Sequence, residues 1–175
     1  SSKSLPNSYL PIWIAVSTPL ITLILFLTGY FLYIKIFLSR LINIETNKKN
    51  SLWLDIDESK DFFIFFNFSI IFIYLIFSNA VLYNGWRQVY FLNVFIIYFT
   101  TYGIHALVQN FNFLKKFKKW FYLIIIICLI NIFYNIFKSH PYQSFYFNNL
   151  LKNNIEKKFE VDYWGLSGKR FINEI

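Results

Sequence analysis

Four ionisable side chains, Arg87, His140, Asp162 and Arg170, stand in stretches crowded with aromatic residues. These stretches read "YNGWRQVYF" from Tyr83 to Phe91, "SHPYQSFYFN" from Ser139 to Asn148, and "FEVDYWGLSGKRF" from Phe159 to Phe171. Arginine suits phosphate because its planar fork donates two hydrogen bonds at once. Trp86, Tyr142, Tyr146, Tyr163 and Trp164 surround the charges and offer flat faces to a sugar ring. An acidic residue such as Asp162 orients a sugar hydroxyl or a guanidinium. Together these types fit a lipid-phosphate-linked sugar held at a bilayer surface. A plainer reading stands beside it, because Trp and Tyr form belts at headgroup depth in most membrane proteins. No metal-ligand spacing is present, and no cofactor is identifiable.

The elements that must position these residues are transmembrane. The chain has 175 residues, of which 57% are hydrophobic and 23% aromatic, more apolar surface than a soluble domain of this size needs. The apolar residues fall into four blocks, about Leu10–Leu38, Phe62–Leu82, Val89–Val108 and Trp120–Phe137. Each is long enough to cross a hydrocarbon core of ~30 Å at ~1.5 Å per residue. They lack the alternation of barrel strands, so helices are expected. Pro19 removes one backbone donor and is expected to bend the first helix. "WLDIDESKD", Trp53–Asp61, reads as an acidic helix start feeding the second span. The expected fold class is an all-α membrane protein: a four-helix transmembrane region over residues 1–138, then an extracytoplasmic C-terminal tail over 139–175 with a short helix.

The net charge of +8 would indicate nucleic acid in a soluble chain, but here the basic residues flank apolar blocks and nucleic acid is not an expected partner. Arg40, Lys48, Lys49 and Lys60 lie between the first two blocks, and Lys115, Lys116, Lys118 and Lys119 between the last two. The connection around "LYNGWRQ" carries only Arg87. The excess of positive charge in cytoplasmic loops puts both Lys-rich connections in the cytoplasm and both termini outside. The three polar-aromatic stretches and the opening of the chain then converge on the outer face. Inside the expected spans only His105 and Lys35 are ionisable, which disfavours an ion-coupled carrier. Lys35 can snorkel to the boundary, and His105 can bond a neighbour. Cys128, the single cysteine, lies in an apolar run and reads as a small packing residue.

The same stretches carry a resemblance. "LYNGWRQVYFL", then "SHPYQSFYFNNL", then "FEVDYWGLSGKRFINEI", in that order, resemble the C-terminal half of bacterial membrane glycosyltransferases related to dolichyl-phosphate-mannose protein mannosyltransferases. The opening "YLPIWIAVSTPL" resembles the segment entering one of their later spans. The resemblance covers nearly the whole chain. It implies part of a C-type glycosyltransferase fold in the bacterial inner membrane. Such a protein moves a sugar from a polyprenyl-phosphate donor to an acceptor on the extracytoplasmic face. Arg87, Trp86, His140, Tyr142, Asp162, Tyr163, Trp164 and Arg170 are the implied substrate-binding residues. The family's catalytic carboxylate lies in its first external loop, and no segment here matches that loop. Gln88 stands where the family commonly has His, and Gly168 where it often has a larger residue. Asp162 has three open roles: pairing with Arg87, pairing with Arg170, or ordering the turn at Gly165. The sequence contains no Met, so it is expected to be part of a longer chain. The alternative class is a non-catalytic polytopic subunit or assembly factor of a larger complex.

Overall fold

The computed structural model describes residues 6–42, 53, 55–78, 82, 85–138 and 147–148. Backbone polar groups in so apolar a chain must pair within their own segment. The described residues do so in helices, with no strand among them. The helices are α1 (Tyr9–Ser17), α2 (Leu20–Ile42), α3 (Ile56–Phe77), α4 (Leu92–Asn110), α5 (Asn112–Lys116) and α6 (Lys118–Lys138), with a 3-10 turn at Arg87–Val89. Of these, α2, α3, α4 and α6 are long and apolar enough to cross a membrane. Their outer faces expose Phe31, Phe63, Ile73, Phe77, Ile130, Phe133 and Phe137, a surface that belongs in lipid rather than water. The protein is an integral membrane protein with four candidate spans among the described residues.

The first apolar block is broken at the expected place. Thr18 is extended at φ −86° and ψ 136°, the conformation a residue before proline prefers, and α2 starts directly after Pro19. The acidic helix start is also present. The Asp55 carboxylate accepts from the Ile56 amide at 2.7 Å, and Asp57 and Glu58 occupy the first turn. That turn and the second apolar block form one helix, which begins at Ile56 and ends at Phe77 rather than Leu82. Ser78 caps it, and Leu82 is buried as part of the connection. An apolar block records which residues avoid water, and a buried loop residue meets that condition as well as a helical one. Helix α4 likewise starts at Leu92, after the 3-10 turn. The Lys-rich connection before α6 contains the short helix α5.

α2 and α4 run in the same direction and α3 runs back between their ends. Phe26 faces Phe68, Phe37 faces Phe62, and Arg40 pairs with Glu58 at 3.1 Å. The two interfaces are built differently. α2 and α4 touch backbone to backbone at Gly29 and Gly103. A Cβ on Gly29 would run into the Phe99 carbonyl and lie 2.7 Å from the Gly103 nitrogen. Small residues permit this approach, which is how helices associate where lipid removes the hydrophobic drive. α3 instead stands off on a layer of rings: Phe26, Tyr30, Tyr33, Phe65, Phe68 and Phe99 meet at centroid distances of 5.1–6.5 Å. Phe99, Leu92 and Ile96 are fully buried at the centre. α6 joins the bundle through α5, and Ile125 is its one buried residue.

Candidate functional site

The proline break creates a hydrogen-bonding demand. In an unbroken helix the Ala15 carbonyl would accept from residue 19, but proline has no amide hydrogen. The carbonyls of Val16 and Thr18 are freed by the same break. Asn148 meets all three. Its side-chain Nδ2 donates to Ala15 O at 2.6 Å and to Thr18 O at 2.7 Å, and its backbone N donates to Val16 O at 2.8 Å. Asn148 is 4% exposed, which makes it one of two buried polar residues among the described ones. The other is Thr18, whose Oγ1 has no hydrogen-bond partner among the described residues. A buried hydroxyl left so costs on the order of 1–3 kcal/mol.

Trp86 closes the same region from the connection before α4. Its indole Nε1 donates to Ser17 Oγ at 2.7 Å, and Ser17 Oγ donates to Trp13 O at 2.6 Å. Gly85 makes this approach possible. Its φ of +73° suits glycine, and an added Cβ would lie 3.2 Å from the Trp13 ring. Phe147 packs on the other side of Trp13 at 5.9 Å between centroids. Residues from the opening stretch, from "NGWRQ" and from "YFN" thus meet at one end of the bundle, here the Trp86 end.

A cavity of about 270 Å³ opens beside this junction. Its polar lining among the described residues is Ser17, Thr18, Thr22, Trp86, Tyr90 and Asn93, none of which carries a charge. Tyr90 packs on Trp86 at 5.1 Å, and Asn93 Nδ2 donates to Tyr90 Oη at 3.1 Å. Arg87 follows Trp86 on the 3-10 turn. It is exposed, and its guanidinium makes no ion pair or hydrogen bond with another described residue. The described residues therefore offer an uncharged polar cavity with a cation beside it. A second, apolar hollow of about 280 Å³ lies against α1, α2 and α3, lined by residues such as Ile14, Leu23, Phe26, Phe68 and Phe72.

Of the residues read as substrate-binding in the sequence, Trp86 and Arg87 stand at this junction. His140, Tyr142, Asp162, Tyr163, Trp164 and Arg170 lie outside the described residues, as does the C-terminal tail except Phe147 and Asn148. Sequence reading passed over Ser17, Thr18, Tyr90, Asn93 and the bonding role of Asn148. Pro19 was the signal for Asn148, because a missing donor calls for another one. By sequence position Asp61 belongs to the acidic helix start. Asp61 instead turns into the bundle, where the Tyr98 hydroxyl donates to its carboxylate. Tyr102, one turn further along α4, packs edge-on to Tyr33 nearby. The span interior thus holds a carboxylate in addition to His105, which bonds Gln109 at 2.7 Å, and the exposed Lys35. Among the described residues no group of His, Cys, Asp and Glu is placed to hold a metal.

No protein-family model, curated protein or solved structure matches the chain.

Proposed function

We propose that the chain is part of an integral membrane glycosyltransferase whose Trp86 end faces the extracytoplasmic side of a bacterial inner membrane. There it binds a polyprenyl-phosphate-linked sugar and supports transfer of that sugar to an acceptor. One observation carries the reading. Residues of the opening stretch, of "YNGWRQVYF" and of "SHPYQSFYFN", far apart in sequence, meet through short hydrogen bonds around a polar cavity with the exposed Arg87 beside it. A belt of interfacial aromatics alone would not need Trp86 and Asn148 buried and bonded to one helix break.

The chemistry is a displacement at the anomeric carbon. The acceptor oxygen forms a bond to that carbon as the bond to the lipid phosphate oxygen breaks. The acceptor proton passes to a carboxylate base that lies outside the 175 residues. The departing phosphate takes the bonding electrons, and Arg87 holds its growing charge by a two-pronged hydrogen bond.

The test is turnover by the full-length protein. Loss of a charge-assisted pair in the transition state is worth on the order of 2–4 kcal/mol, so Arg87→Ala lowers transfer per folded protein by roughly 30- to 1000-fold. Arg87→Lys recovers part of it, because a point charge cannot reproduce the fork. Unchanged turnover in folded Arg87→Ala removes Arg87 from the site.

A further inference from the structure

The cavity and the arginine are chemically distinct, and this separates what each can hold. Among the described residues the cavity carries hydroxyl, amide, indole and phenol groups and no cation. Phosphate desolvated there would find no opposite charge among the described residues, which is costly. Arg87 lies outside the lining, on the exposed turn. Several cavity groups also have hydrogen-bonding capacity to spare. Among the described residues the buried Thr18 Oγ1 has no partner, Thr22 Oγ1 neither donates nor accepts, and Asn93 Oδ1 accepts nothing. The Tyr90 ring is exposed at the rim and offers an apolar face. A ligand that satisfies this set needs several hydroxyls, able to donate to Asn93 and both donate to and accept from the threonines. It also needs an apolar ring face to lie against Tyr90. At about 270 Å³ the space is smaller than drug-sized pockets, which begin near ~300 Å³, and suits one ring rather than a chain.

We infer that the cavity between the Pro19 break and the start of α4 is a subsite for an uncharged, polyhydroxylated ring of hexose size, with Thr22 and Asn93 as its hydrogen-bonding residues. The inference rests on the donor-binding reading above and deepens it: the sugar sits in the cavity, and the lipid phosphate sits outside it at Arg87. Thr22 and Asn93 then set specificity for the sugar and are indifferent to the lipid phosphate.

Three probes separate the possibilities: citronellyl phosphate, the same lipid carrying a phosphate-linked hexose, and an octyl hexoside that has no phosphate. Binding of each to the full-length protein in nanodiscs is measured by calorimetry, for the parent, Thr22→Val, Asn93→Leu and Arg87→Ala. Thr22→Val and Asn93→Leu are expected to weaken both hexose-bearing probes by about tenfold or more, since a site built to bond hydroxyls suffers when its groups are removed. They leave citronellyl phosphate within about twofold on the same scale, where tenfold is ~1.4 kcal/mol. Arg87→Ala weakens the two phosphate-bearing probes and spares the hexoside. The retained citronellyl phosphate binding doubles as the check that the two cavity variants are folded. Equal binding of citronellyl phosphate and its hexosyl form by the parent overturns the subsite while leaving the Arg87 reading intact. Equal loss of all three probes in Asn93→Leu and Thr22→Val overturns it as well. Hexoside binding that depends on Asn93, with no binding of either phosphate probe, upholds the subsite and refutes the donor reading. No binding of any probe refutes both.

Discussion

Asn148→Ala isolates the bonds that hold the Pro19 break to the segment after α6. The substitution removes Nδ2 and leaves the carbonyls of Ala15 and Thr18 without a donor, while the backbone bond from residue 148 to Val16 O survives. Leaving a buried acceptor unpaired costs on the order of 1–3 kcal/mol, and water reaches Ala15, which is only half-buried. The expected loss is about 2–5 kcal/mol. At ~2–4 °C per kcal/mol for a chain of this size, the midpoint of thermal unfolding falls by roughly 4–20 °C. Asn148→Asp is expected to be worse than Ala, because a carboxylate only accepts and would face two carbonyls. Pro19→Ala restores an amide hydrogen at position 19 that can serve Ala15 O, so Asn148→Ala costs less in that background. The assay is thermal unfolding of the full-length protein in nanodiscs, followed by tryptophan fluorescence and size exclusion. If Asn148→Asp proves as stable as the parent, the side chain is not acting as a donor and the account of the break is wrong.

Gly103→Ala should cost about 1–3 kcal/mol, since its Cβ would run into the Leu25 carbonyl and lie 3.1 Å from Gly29 Cα; an unshifted unfolding midpoint would contradict the backbone contact. Tyr98→Phe strips the Asp61 carboxylate of its donor and should destabilise by about 1–3 kcal/mol. Adding Asp61→Leu should restore part of that stability, and a double variant no better than Tyr98→Phe argues against the bond. A cysteine at Asn112, with Cys128 replaced by Ser, should react with an impermeant thiol reagent only from the cytoplasm; labelling from outside reverses the orientation and moves the Trp86 end to the wrong side of the membrane for the proposed donor.

Residues with a local signal were legible in the sequence. The four spans follow from apolar blocks, the break from Pro19, and the acidic start of α3 from Asp55, Asp57 and Glu58. What sequence reading passed over depends on partners distant along the chain. Neither Gly29 nor Gly103 announces that it faces the other, and a lone glycine in a span has several uses. Asn148 looked like one polar residue among several in "YFNN" until the carbonyls it serves were in view. Asp61 belonged by position to a helix start, and only the approach of α4 turns it inward to Tyr98. The span ends were blurred for a related reason: Leu82 and Val89 are as apolar as helical residues but are buried in a connection.

The bonding at the proline break also sets an order of events during synthesis. Ala15 and the side chain that completes its hydrogen bonding are 133 residues apart. At roughly 5–20 residues per second, Asn148 reaches the peptidyl-transfer centre about 7–27 s after Ala15. Until then the first span sits in the bilayer with its Ala15, Val16 and Thr18 carbonyls served only by water or the insertion machinery, and a carbonyl deep in lipid would not tolerate the wait. The break therefore has to stay near a wet boundary while the later spans emerge. Helices α1 and α2 acquire their finished form only when α6 has delivered the segment that follows it, so a ribosome stalled before Asn148 leaves the Pro19 break still open to water.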